Sequence, residues 1–381
     1  MALTEKQKKA KQLIAGINKK YNKQVVAKVS DIEDELRVTF VPTKSLKLNN
    51  LMGGGAARGR ITEFFGPTGS GKTFTCYEII GEDMKKDPES MWGWYETEGS
   101  FDWEVAERCG IDADRLIFWE MSDEGAESGL DILEAIIRQM GSDLTGIVVN
   151  SVAGLTPRKE LDSLMEKQDM GTMAKMMSKL MRKITAIVNK NKIAIIFINQ
   201  VRDKIDLYGG SVTTGGRALA FFASQRIEFK KRKTEAADGV KDEEYIKIQV
   251  KSHKNRFAKG NPFKTTEMFG RYGMGTDVVM EILQLSVDQG IINKGAGGRY
   301  SYITNDGEEL KWHGNKKLLD FVSENEWFAE EIRAKILADD DATLGITTLS
   351  EDEISAIEAE QKKAQEEMSE VLQEEEGEET A

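Results

Sequence analysis

The chain has 381 residues, 40% of them hydrophobic, enough to bury one large core with smaller satellites. Its two cysteines, Cys76 and Cys109, exclude a disulfide framework and read as core thiols, no run approaches ~18 apolar residues, and the lysine-rich start lacks the apolar segment of a secretory signal, so a cytoplasmic protein without a membrane span is expected. The net charge of -12 argues against nucleic acid only until it is located: residues 351–381 carry -11, which leaves a near-neutral body with basic clusters at Lys6–Lys11, Lys230–Lys233 and Lys251–Lys259.

In chain order, Thr4–Lys20 sets Ala10, Leu13, Ile14 and Ile17 at helical spacing, an amphipathic helix whose stripe needs a partner surface. From Ile61 to Phe229, short β-branched runs alternate with longer amphipathic stretches, the pattern of a mostly parallel sheet flanked by helices. The predicted strands are Arg60–Phe65, Met91–Tyr95, Leu116–Glu120, Gly146–Asn150 and Ile193–Asn199, with a helix over Ala174–Asn189. Arg226–Arg232 and Tyr245–Ser252 then read as an antiparallel pair around a polar turn at Ala236–Lys241. A helix at Val278–Gln289, a glycine-rich hairpin near Gly295–Thr304 and two more helical patterns follow. Residues 351–381 form a charge run without aromatics, expected to be disordered or a frayed helix.

The strongest local signal is Gly66-Pro67-Thr68-Gly69-Ser70-Gly71-Lys72-Thr73, a G-x-x-x-x-G-K-[ST] loop between a strand and a helix. Its glycines let backbone N–H groups wrap phosphates at a helix N-terminus, Lys72 reaches the β/γ-phosphates and Thr73 ligates Mg²⁺. ATP and Mg²⁺ are the cofactors this implies. Glu96 and Glu98 end the next strand, where α/β sheets bind ligands; they are either a water-activating pair or solvated loop charges. The strand Ile147–Val149 should end in an aspartate holding the metal's water shell, but ends in Asn150, which keeps an acceptor oxygen and loses the charge. At another strand end, Asn199-Gln200 offers an amide that either senses the γ-phosphate or caps a loop.

Taken together, Gly66–Thr73, Glu96–Asp102, Asn150–Pro157, Met176–Lys183, Ile196–Arg202 and Thr213–Leu219 resemble the bacterial RecA family of recombinases in order and spacing, over roughly residues 4–335. The resemblance implies an α/β fold: a RecA-type P-loop ATPase core with a mostly parallel central sheet, an N-terminal helix, a small α+β C-terminal domain and an acidic tail. The boundaries expected are 1–45 for the polymerisation helix and linker, 46–270 for the core, 271–338 for the small domain and 339–381 for the tail.

By resemblance, Glu98 activates the attacking water, Gln200 couples the γ-phosphate to the following loop, Asp102 contacts the adenine, and Lys254 and Arg256 reach the ATP of the adjacent subunit. Two loops, Asp162–Gly171 with Met165 and Met170, and Val201–Gly215 with Arg202 and Lys204, would hold single-stranded DNA, aided by Lys175, Arg182 and Arg217. Phe221 would pack on the next subunit. The implied function is an ATP-dependent recombinase forming helical filaments on single-stranded DNA and exchanging strands with a homologous double-stranded DNA. The alternatives are a RecA-fold helicase or motor, and an ATP-gated DNA-binding filament with negligible hydrolysis. The sequence departs from the family at Asn150, at Lys175 where an arginine is usual, and at Val105 in place of an aromatic, with Trp103 nearby as a substitute.

Overall fold

The computed structural model of the protein describes residues 4–162, 171–203, 211–233, 245–258, 260–338 and 347–379. The polar turn expected at 236–241 lies outside them. Two units emerge, residues 1–39 and residues 40–381.

In the first unit, Glu5–Tyr21 is a helix opened by a reciprocal cap: Gln7 N–H donates to Thr4 Oγ1 (3.3 Å), and Thr4 N–H to Gln7 Oε1 (2.8 Å). Asn22 closes it in a left-handed conformation, and Asn18 accepts from the N–H groups of Val25 and Val26, turning the chain back. The helix buries none of its residues, and Leu13 is 65% exposed.

The second unit is built on a ten-stranded sheet. Its strands are β1 (Ile61–Phe65), β2 (Trp92–Glu96), β3 (Leu116–Glu120), β4 (Gly146–Asn150), β5 (Ala194–Asn199), β6 (Gln225–Arg232), β7 (Tyr245–Asn255), β8 (Lys264–Arg271), β9 (Gly275–Thr276) and β10 (Thr347–Thr348). They run in the order β9-β8-β7-β6-β1-β5-β4-β2-β3, with β10 on β8. Every pairing from β6 through β1 to β3 is parallel, and those beyond β6 are antiparallel. β1, β2, β4 and β5 are buried along their whole length because both sheet faces are covered. Alternation divides them between two cores. Phe64, Val148, Ile196 and Ile198 pack with Ile79 and Ile80 of the helix Lys72–Lys86; Ile147, Val149, Ile195 and Phe197 face the helices Ala126–Met140 and Thr172–Asn191. Cys76 is fully buried and Cys109 half-buried; burial pushes both thiols up, Cys109 to about 11, so they are inert packing groups.

A third core gathers the helices Val278–Asp288, Asn315–Glu324 and Glu326–Ala338 with a three-stranded antiparallel sheet, and Phe328 sits among Tyr302, Trp312, Phe321 and Trp327. Buried Glu281 ties this region to the core, accepting from Ser45 Oγ (2.9 Å) and Lys47 N–H (2.5 Å).

Of the two expectations for the tail, disorder or a frayed helix, its described part takes the helical one. Glu351–Glu379 is helical, opened by Ser350 and Glu353, which cap each other. Ile357, Ala364 and Met368, spaced by seven and four, are buried, and Met368 joins the core beside Ser178. Composition predicted solvation because this stripe is only one residue wide; a groove formed by distant segments gives it somewhere to go.

Candidate nucleotide-binding site

The loop Gly66–Gly71 links the end of β1 to a helix that starts at Lys72. Only glycine serves at position 66, where φ is +145° and a Cβ would stand 2.1 Å from Phe229 O. Lys72 is 6% exposed, and its ammonium donates to Gly66 O (2.9 Å), Pro67 O (2.7 Å) and Ser70 Oγ (3.3 Å). Burial pulls it down to about 8 against the raising influence of Glu98. Three neutral acceptors hold the charge where a phosphate would sit.

Strand ends converge on this loop. Parallel pairing sets Glu96 opposite Asn150, Asn150 opposite Ile198, and Asn199 opposite Phe65. Glu98 then accepts from Gln200 Nε2 (2.8 Å) and from the Ser151 hydroxyl. The Gln200 backbone carbonyl in turn accepts from Thr214 N–H (3.3 Å), and Thr214 and Asn199 are doubly hydrogen-bonded, so Gln200 holds the acid through its side chain and the base of the following loop through its main chain. Thr68–Thr73, Glu98, Asp102, Asn150 and Gln200 all line one cleft. Asp102 also caps the helix Trp103–Arg108 through Val105 N–H (3.1 Å). Val105 lines the cleft, and Trp103 is not among its lining residues. Arg271 and the half-exposed Tyr272, at the β8–β9 turn, form a wall that the sequence did not reveal, because the turn lies about 200 residues from the loop and carries no motif.

The remaining expected residues lie elsewhere. Lys254 lies in the last residues of β7 and Arg256 just follows it, and neither is among the cleft's lining residues. Lys254 donates to Ala220 O (3.0 Å) and Phe221 O (2.8 Å), and burial, then Arg256 and Arg226, lowers it to about 8. Phe221 is half-buried against Phe222. Lys175 and Arg182 are exposed on the helix Thr172–Asn191, and Lys179 between them continues the same face, a residue that sequence reading passed over. Arg217 is paired with Glu367 of the tail helix. Met165, Met170 and Lys204 lie outside the described residues; Arg202 is in the strand Val201–Asp203, which pairs with Ser211–Thr213.

Behind the site, Arg226 is buried and donates to Glu63 (2.6 Å) on β1 and to Glu360 of the tail helix (3.3 Å). Glu63 also accepts from Asn199 Nδ2 (2.9 Å). Both acids raise the Arg226 guanidinium against the opposing effect of burial.

A phosphate loop leaving a central strand of a parallel sheet, with an acid and an amide at neighbouring strand ends, defines a P-loop ATPase. Residues 8–277 match the RecA N-terminal domain model. Protein RecA of Thermus aquaticus is 36% identical over 335 residues, 87% of this chain and 94% of that protein. Protein RecA of Thermotoga neapolitana is 37% identical over 338 residues (87% and 93%), and that of Psychrobacter arcticus 34% over 362 residues (92% and 98%). The chain belongs to the RecA family, and is accordingly a DNA-dependent ATPase acting as an ATP-dependent recombinase. Among the described residues no helix is long and apolar enough to cross a membrane.

Proposed function

We propose that protomers assemble as a helical filament on single-stranded DNA, with ATP held between neighbours, and pair that strand with a homologous duplex. The observation that carries this reading is the contact of Gln200 with both Glu98, through its side chain, and the base of the loop after β5, through its main chain, since nucleotide state and loop state then share one residue. Lys72 exchanges its loop carbonyls for phosphate oxygens, and the loop N–H groups hold the rest of the phosphate chain. Glu98 orients the attacking water and takes its proton. Gln200 leaves Glu98 for the γ-phosphate and carries the loop with it. Tyr272 and Val105 flank the adenine, with Asp102 at its edge.

The residues present fit Mg²⁺. Thr73 lines the cleft, and Asn150 Oδ1 is a buried oxygen with no partner, suited to accept from a metal-bound water. The ion supplies positive charge against the phosphates.

Lys254 and Arg256 reach a neighbour's ATP, which accords with their distance from the cleft of their own chain. The stripe of the N-terminal helix and Phe221 are the other assembly contacts. Lys175, Lys179, Arg182 and Arg217 meet DNA phosphates, with Met165, Met170, Arg202 and Lys204 on the loops. The tail helix competes for that surface through Glu367.

Three-strand exchange with ATP, paired with electron microscopy on single-stranded DNA, tests the reading; closed rings or absent joint molecules refute it. Asn150 favours a second reading, a filament gated by ATP binding with negligible turnover. That reading predicts no DNA-stimulated phosphate release.

A further inference from the structure

Resting on the nucleotide-site reading above, we infer that Glu96 is a positioning residue for the metal: it turns the Asn150 amide so that its oxygen faces the cleft, and supplies from behind the negative charge that Asn150 lacks.

Glu96 is 1% exposed, absent from the cleft's lining, and directly opposite Asn150 across the β2–β4 pairing. Its Oε2 accepts from Asn150 Nδ2 (3.0 Å) and Trp94 Nε1 (3.0 Å); its Oε1 accepts from the N–H groups of Glu98 (2.8 Å) and Ser100 (3.3 Å). Four N–H donors divided between both oxygens suit a carboxylate and no neutral side chain. The second Asn150 hydrogen goes to Ser100 Oγ (3.1 Å). Both amide hydrogens are thereby spent facing the protein, and Oδ1 is left as the orphaned buried acceptor at the cleft wall. A carboxylate on the N–H side of an amide polarises it and strengthens the oxygen as an acceptor. The charge of the site has not vanished with the aspartate; it stands one residue further from the metal.

The arrangement makes a counterintuitive prediction. An aspartate at 150 alone places two carboxylates at hydrogen-bonding distance, where they cannot both stay ionised without cost. Glu96→Gln alone leaves one oxygen for these donors; kept on the fixed backbone N–H groups of Glu98 and Ser100, it sets its amide NH2 against Asn150 Nδ2, so the Asn150 amide turns over and presents N–H to the cleft. Combining the two restores a donor–acceptor pair with the charge moved forward.

The test compares wild type, Glu96→Gln, Asn150→Asp and the double variant by binding of a fluorescent ATP analogue against Mg²⁺ and Mn²⁺ concentration, by the same binding in EDTA, and by thermal unfolding without nucleotide. We expect Glu96→Gln to need about 10–100-fold more Mg²⁺ for the same analogue affinity, with affinity in EDTA unchanged. Asn150→Asp should melt below wild type, and the double variant should melt above Asn150→Asp and recover most of the Mg²⁺ response. A wild-type Mg²⁺ requirement in Glu96→Gln, or purely additive losses in the double variant, overturns the inference. Should Glu96→Gln not fold, Asn150→Asp decides: an undiminished melting temperature with tighter Mg²⁺ coupling means the charge was missing rather than displaced. Wild-type protein that fails to bind the analogue with Mg²⁺ present overturns instead the nucleotide-site reading beneath it.

Discussion

Truncation after Ser350 removes the tail helix, and its contacts set what should follow. Ile357 and Met368 are 5% and 4% exposed, and burying two such side chains contributes roughly 3–6 kcal/mol before ordering costs. The ion pairs of Arg217 with Glu367 and Lys251 with Glu353 are partly exposed, each worth about 1 kcal/mol or less. Met368 is the one tail residue in a core that otherwise closes around residues of the body, so the truncated protein should stay folded. Its DNA binding should change more than its stability. Removing residues 351–381 uncovers Arg217 and Lys251, takes Glu360 from Arg226 but leaves that cation on Glu63, and deletes a local charge of -11. Two newly available cations steepen the dependence of log affinity on log salt for single strands by roughly 1.4, at about 0.7 per phosphate. Fluorescence anisotropy with single- and double-stranded oligonucleotides over a salt series measures this, and Glu367→Lys should produce about half the change in slope. Identical affinities and slopes in the truncated and full-length chains would refute the idea that the tail competes for this surface.

Glu98→Gln should keep nucleotide binding while DNA-stimulated hydrolysis falls about 10²–10⁴-fold, which phosphate release and analogue binding together resolve. Lys254, held at about 8 by burial, then by Arg256 and Arg226, is charged below that pH and able to meet a neighbour's phosphates; above it the amine must take up a proton to do so. ATP-dependent assembly followed by light scattering should therefore weaken from pH 8 upward, and Lys254→Met should flatten that profile at a lower level. Arg226→Ala should cost about 3–5 kcal/mol in denaturant unfolding, because it leaves Glu63 buried without its cation. Glu360→Gln, at a side chain 37% exposed, should cost about 1 kcal/mol or less.

Much of this was legible in the sequence because it is local. The phosphate loop, the strands before and after it, and the polar residues at three strand ends each follow from a short pattern of glycine placement or apolar alternation, and the order of those segments carried the family. The cleft's outer wall at Tyr272 and the cation Lys179 were missed for opposite reasons: the first is remote in the chain, and the second sits in an ordinary helical face that no motif singles out.

What the sequence by itself determined was the kind of protein: a P-loop fold with an acid, an amide and an asparagine at neighbouring strand ends. What only the tertiary structure decided was which of those groups act on one another. Glu98 and Gln200 are 102 positions apart and meet because β2 and β5 flank β4 in parallel. Glu96 changes from one of two strand-end acids into the partner of Asn150 because register sets them opposite each other. The tail folds onto the body because Ile357, Ala364 and Met368 are buried there, Met368 in the core beside Ser178, with the tail helix against the helix Ala218–Phe222. Local pattern specifies elements; the charge, contacts and cover of a side chain depend on residues that sequence separation hides and strand pairing brings together.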